Sequence, residues 1–367
     1  MSTTYFGTKE LLDPPIERAA FSDRQAYVCA ELAKLAYFKF EGGNTLDQAL
    51  TIVQKLVPND ARRELLEAQL RSLLTDSPTA AAKSKQAMAE ILAAAGFVLK
   101  DTFNREGTQA FFCTRQLTLG GGGEKTIGFL VFRGTEPKDF RDIIADVRAR
   151  LETVVLGSES VELHTGYYAA FQTVRPEIEK ALAEHPHDQL FLAGHSLGGA
   201  LAIVATRILA PSGSGACYTF GAPPVGTEDV QNGLKTPVYE IINEIDIVPR
   251  LPNPWATGLV RLLLRLLRLV LKSFTFTAGL LASSTLDERL EAFIDMMTRY
   301  RHPGYVSYLV GSGNEARLRY NVDAFDRLGW WLNMIRKRRF GQYREVVADH
   351  SIDAYIEKLV SSGMKRL

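Results

Sequence analysis

The chain has 367 residues and a mass of 40.7 kDa, with 43 Lys plus Arg against 42 Asp plus Glu and a formal net charge of +1. Apolar residues at 46% and charged residues at 23% are ordinary globular values, which exclude a disordered chain, a collagen-like repeat and a disulfide-dense miniprotein. So even a charge balance lacks the basic footprint of a nucleic-acid binder, and the length suits two domains or one large α/β domain with extensions.

Residues 1–10 are polar and lack a cationic start followed by an apolar run, so no secretory signal is visible. The expectation is a cytoplasmic or peripheral membrane protein, with leaderless export left open. The first hundred residues read as helices. Ser22 and Asp23 cap a segment running to Tyr37, with Val28, Leu32 and Leu35 at helical spacing. Further helices are expected over 45–56, 60–74 and 84–95, the last closed by Gly96. Residues 1–96 are read as a helical flank packed on a main domain formed by 97–367.

Strands begin at Phe97. The segments 97–104, 109–116 and 126–132 predict an antiparallel meander, with Gly120 to Gly123 at the tip of the second turn. That glycine run is not a phosphate loop, because Glu124 stands where the last glycine should precede the lysine. From Thr153 onward strands alternate with helices: helix 165–184, strand 189–193, helix 198–210, and strands 216–220 and 238–243. The alternation implies a mostly parallel sheet covered on both faces. Cys29, Cys113 and Cys217 are odd in number and form no C-x-x-C pair, so they read as buried or free thiols. With no H-E-x-x-H and no cysteine cluster, neither a metal nor a cofactor is expected.

Residues 194–198 spell G-H-S-L-G, a G-x-S-x-G pattern. The letters alone are weak, but an apolar strand leads in and an Ala/Leu/Ile helix leads out. That context places Ser196 on a tight strand-to-helix turn, its hydroxyl near a helix N-terminus that favours negative charge. A serine hydroxyl is a poor nucleophile without an imidazole to take its proton and a carboxylate to hold the imidazole. On such a sheet both partners follow the serine in the chain. Asp246, just past the apolar strand 238–243, is the best acid. Of the two later histidines, His350 at the start of a terminal helix is favoured, and His302 in a Pro-Gly turn is read as structural. His164, His185 and His187 read as surface or packing residues, and His195 as packing beneath the turn.

Four stretches now carry a resemblance: V-F-R-G-T at 131–135, 161–171 with H-T-G-Y at 164–167, G-H-S-L-G-G at 194–199, and N-E-I-D-I-V-P-R-L-P at 243–252. In this order the chain resembles the class 3, fungal-lipase-like branch of the α/β-hydrolases, departing at Pro224, where fungal members usually carry arginine. The resemblance implies an α/β-hydrolase fold, a mostly parallel central sheet covered by helices, here with an N-terminal helical flank and a helical insertion at about 255–300. It implies a Ser196–His350–Asp246 triad and an oxyanion hole from Thr135 and the amide of Leu197. It also implies a lid at about 137–150, the alternative being a fixed surface helix. The expected activity is hydrolysis of lipid esters, of the triacylglycerol type or, alternatively, of membrane phospholipids; a non-catalytic lipid binder is the remote alternative.

Residues 259–271 read LVRLLLRLLRLVL, Leu259 opening and Leu271 closing the run. Arg261, Arg265, Arg268 and Lys272 fall within roughly 60° of one helix face, and the rest is Leu or Val. An apolar arc this wide fits contact with a membrane or lipid-droplet surface, with burial in the core and oligomer contact as alternatives. At about 20 Å it is too short to span a bilayer.

Overall fold

The computed structural model describes residues 5–12, 20–38, 63–64, 78–118, 123–135, 151–209, 215–250, 298–320, 322, 326, 329–330 and 348–365. The helix expected over 45–56, all of that expected over 60–74 except residues 63–64, the glycines 120–122, the lid and nearly all of the insertion, including 259–271, lie outside these residues.

Among the described residues, eight strands form one sheet. Strands β1 (Phe97–Arg105), β2 (Thr108–Thr118) and β3 (Glu124–Phe132) are the expected antiparallel meander. β3 then pairs in parallel with β6 (Gln189–His195), and β7 (Cys217–Phe220), β8 (Val238–Asn243) and β9 (Tyr305–Val310) continue in parallel. A short β10 (Arg317–Arg319) closes the edge antiparallel to β9. Outside this sheet stands a two-stranded hairpin, β4 (Leu151–Leu156) with β5 (Glu159–His164).

Both faces of the sheet are covered, which explains why its central strands are apolar without alternation. Phe129, Val131, Phe191, Ala193, Tyr218 and Phe220 point into one cluster with α1 (Asp23–Leu35) and the C-terminal helix α5 (Ile352–Met364). Their neighbours Leu130, Phe132, Leu190, Leu192 and Cys217 point into the other, with α3 (Thr165–Glu184) and α4 (Leu197–Leu209). The helix α1 starts where expected: Ser22 is its cap, with Oγ accepting from the Gln25 amide. Helix α2 (Pro78–Ala94) begins six residues before the expected Ser84, with proline at its first position, where the missing N–H costs nothing. Gly96 ends it at φ +80°, a left-handed turn suited to glycine. All three cysteines are buried and free, and burial pushes the Cys217 thiol up to about 12.

The parallel register sets the site. Phe132 lies opposite Gly194, so Arg133-Gly134-Thr135 and His195-Ser196 leave the sheet side by side. The ends of β7 and β8 open on the same edge, the usual ligand edge of a parallel sheet. Among the described residues no helix is long and apolar enough to cross a membrane.

Candidate active site

Ser196 sits at φ +57°, in the left-handed region that costs a non-glycine residue about 1–2 kcal/mol. The turn is held by its surroundings. The Ser196 amide donates to Phe220 O at 2.9 Å, and Ser196 O accepts from the amides of Gly199 at 2.9 Å and Ala200 at 3.2 Å. The flanking glycines are needed for close approach: a Cβ on Gly194 would stand 2.1 Å from Gly198 O, and one on Gly198 would stand 2.3 Å from Phe132 O. The G-x-S-x-G spacing is therefore a packing requirement of β3, β6 and α4 meeting at one point.

Ser196, His350 and Asp246 come together. Ser196 Oγ lies 2.8 Å from His350 Nε2, and His350 Nδ1 lies 2.7 Å from Asp246 Oδ2. An ionised carboxylate only accepts, so the proton facing Asp246 is on Nδ1, and the Nε2 lone pair faces the serine hydroxyl. All three residues are buried, Ser196 and Asp246 completely. Asp246 occupies the turn after β8. Its Oδ1 accepts from the Val248 amide at 2.9 Å, and its Oδ2 also accepts from the Tyr355 hydroxyl at 2.5 Å. Burial, and next the Asp246 charge, hold the Tyr355 phenol well above its ordinary range, so it stays a donor. Tyr355 O in turn accepts from the Asn243 amide at 3.0 Å.

His350 is the last residue but one before α5. Ser351 caps that helix, its Oγ accepting from the Ala354 amide, and the Asn243 side chain donates to Asp349 O at 2.9 Å. Gly221, at φ +62°, forms the floor of the site. A Cβ there would meet Asp246 Oδ2 at 2.7 Å, the Tyr355 hydroxyl at 2.9 Å and His350 Cε1 at 3.1 Å. Sequence reasoning did not single out Tyr355, Asn243 or Gly221. The signal available for Gly221 was its place at the end of β7, in G-A-P-P-V-G.

Thr135 and Leu197 flank the serine. A Cβ on Gly134, the residue before Thr135, would lie 3.3 Å from Ser196 Cβ, so the R-G-T segment runs against the elbow. Leu197 opens α4, where an amide has no carbonyl four residues back to receive it. A free amide of this kind beside the serine hydroxyl favours negative charge on a substrate oxygen, the role expected of an oxyanion hole.

The other histidines are engaged elsewhere. His302 Nδ1 lies 2.6 Å from Glu240 Oε2, and its Nε2 lies 2.7 Å from Pro249 O, which ties the turn after Asp246 to β8. His164 is buried and caps α3 by accepting from the Tyr167 amide. His195 is buried between Tyr37 and the His350 main chain. Among the described residues no group of His, Cys, Asp and Glu could hold a metal ion.

Comparison with known proteins places this geometry in context. Residues 129–255 match the family described as lipase (class 3). The toxin TseL of Vibrio cholerae serotype O1 is 27% identical over 274 residues, covering 65% of this chain and 42% of that protein. The lipase of Rhizomucor miehei is 32% identical over 162 residues, 40% of this chain and 42% of the other. The chain thus spans about two fifths of the length of these curated relatives. Among solved structures, lipase II from Rhizopus niveus aligns with a TM-score of 0.38 at 20% identity, covering 63% of this chain and 71% of that one.

Proposed function

We propose that this chain, which matches the class 3 lipase family over residues 129–255, is a serine hydrolase of lipid carboxylic esters, of the triacylglycerol lipase type. The observation that carries the reading is the chain of contacts from Ser196 Oγ through His350 to Asp246 at the end of a strained strand-to-helix turn.

The chemistry follows from these positions. His350 Nε2 takes the proton of Ser196 as Oγ attacks the ester carbonyl carbon, and Asp246 stabilises the resulting imidazolium. The carbonyl oxygen gains charge between the Thr135 and Leu197 amides, where one such donor is worth about 2.7–4 kcal/mol. The imidazolium then protonates the leaving alcohol, and an acyl group remains on Ser196. His350 next removes a proton from water, which attacks the acyl carbon and releases the fatty acid with Ser196 restored.

A second reading, hydrolysis of membrane glycerophospholipids, is favoured by the cationic, leucine-rich residues 259–271. Arginines spaced four and three apart would meet lipid phosphates while the leucines enter the acyl region. In either case those residues supply the contact with the lipid surface.

The test is labelling by a fluorophosphonate together with turnover on three substrates. Wild-type protein should be labelled and Ser196→Ala should not, with the fold retained by circular dichroism. Labelling that persists in Ser196→Ala would remove the serine from the mechanism. Faster turnover of triacylglycerol emulsion than of phospholipid vesicles or a soluble short-chain ester selects the first reading over the second. Deleting 259–271 should weaken binding to liposomes, and unchanged binding would refute its role.

A further inference from the structure

The neighbour of the nucleophile is itself a histidine, and its contacts extend the site into the N-terminal helical segment. His195 Nε2 lies 2.6 Å from the main-chain carbonyl of His350, and its Nδ1 lies 2.8 Å from the hydroxyl of Tyr37. A carbonyl oxygen only accepts, so the His195 proton is on Nε2. Burial, then the electrostatic influence of the neighbouring His350, hold His195 well below the usual histidine range and therefore neutral. Its Nδ1 is then an acceptor, and Tyr37 O–H donates to it. The imidazole of His195 acts as a spacer with one end on the Tyr37 hydroxyl and the other on the backbone of His350, the two histidine rings lying 4.7 Å apart.

Tyr37 reaches this position just past the end of α1. Its hydroxyl fills the space beside Gly134, where an added Cβ would come within 2.4 Å of it. The Arg133 guanidinium lies 5.9 Å over its ring. Three residues earlier, the buried Lys34 pairs with Asp353 at 2.9 Å on the first turn of α5. One short stretch of chain thus holds the His350 segment twice, at its carbonyl through His195 and directly at the residue three further on.

We infer that Tyr37 and His195 are positioning residues of the hydrolytic centre: they hold the His350 main chain by its carbonyl and so keep its imidazole aimed at Ser196. The inference rests on the serine hydrolase reading above. It makes the end of α1 a working part of the site.

The experiment compares full-length wild type, Tyr37→Phe, His195→Phe and His195→Gln by kcat and KM on a soluble short-chain ester. In parallel, the first-order rate constant of fluorophosphonate labelling is measured at fixed probe. That rate constant does not depend on how much of a preparation is folded, so partial misfolding does not imitate the effect. Tyr37→Phe, which keeps the ring, should slow labelling and kcat about tenfold with KM changed by less than about twofold, the scale of one lost hydrogen bond to a neutral partner. His195→Phe should be slower still. His195→Gln should recover part of the loss, because its amide keeps one donor and one acceptor. Labelling of Tyr37→Phe and His195→Phe at the wild-type rate would overturn the inference, as would a His195→Gln no better than His195→Phe. A wild-type protein that resists labelling would overturn the hydrolase reading and this inference with it.

Discussion

Tyr355 and His350 donate to the same oxygen of Asp246, the phenol at 2.5 Å and the imidazole Nδ1 at 2.7 Å, so the carboxylate is shared between the terminal helix and the turn before it. Removing the phenol leaves Oδ2 with one donor fewer and the buried Asn243 amide without its acceptor. An unsatisfied buried donor costs about 1–3 kcal/mol. Tyr355→Phe should therefore unfold at lower urea with an unchanged slope, and lose less in kcat than in stability. A urea midpoint equal to that of wild type would contradict this account.

Asp246→Asn keeps the shape and removes the charge. An asparagine amide in place of Oδ2 would favour the His350 tautomer with its proton on Nε2, facing the wrong way for taking the serine proton. The loss in kcat should approach about four orders of magnitude, the scale of that change in a buried triad. The measurement is ester turnover near pH 8, with KM expected to move little.

The parts most legible in the amino-acid sequence were those where one physical demand sets the residues. Residues 190–194 are apolar without alternation because the sheet is covered twice, and glycines flank Ser196 because backbones collide there otherwise. Asp246 and His350 followed from chain order. The hairpin β4–β5 was not read. Glu152 and the exposed Val155 break any clean alternation, and the hairpin stands outside the main sheet. Tyr355 lies at i+3 from Ile352 and four residues before Leu359, all buried, so it reads as one more core position. Tyr37 closes an apolar helix in the same manner. Nothing local tells that either hydroxyl meets a partner over a hundred residues away.

Gly221→Ala tests the floor of the site with a single methyl group. The position has φ +62°, which costs alanine about 1–2 kcal/mol, and the new Cβ would press on Asp246 Oδ2, the Tyr355 hydroxyl and His350 Cε1. All three belong to one rigid unit, so relief requires displacing the imidazole. Turnover should fall about a hundredfold, as expected for a misplacement near 1 Å, with KM little affected. Wild-type kcat in this variant would mean that the triad tolerates movement there.

His302→Ala addresses the turn that carries Asp246. It removes the imidazole from Glu240, whose side chain is 2% exposed, and releases Pro249 O. Gly304 still donates to Glu240 Oε1 at 2.7 Å, so the carboxylate keeps one partner. Leaving one oxygen of the buried Glu240 side chain without its donor costs about 1–3 kcal/mol. The expected result is a drop in the thermal midpoint, partly recovered by Glu240→Gln in the same chain, because a neutral amide is less costly to leave short of one buried partner. A double variant no more stable than His302→Ala alone would argue against the pair.

The pH dependence of stability carries the signature of His195. Its folded pKa is lowered, chiefly by burial and next by His350, while in the unfolded chain it titrates near 6.5. Below about pH 6.5 the unfolded chain therefore binds a proton that the native one refuses, and stability must fall as pH falls. The contribution is fully present above that value and fades below it by up to about 1.4 kcal/mol per pH unit. Glu31, whose carboxyl is raised by burial, acts in the opposite sense from about pH 4.3 upward. His195→Gln separates the two, because it deletes one titration and leaves the other. Urea unfolding at pH 7.5 and 5.5 should show a steeper loss in wild type than in His195→Gln. Equal losses would mean that His195 is already protonated in the fold, and Nδ1 could not then accept from Tyr37.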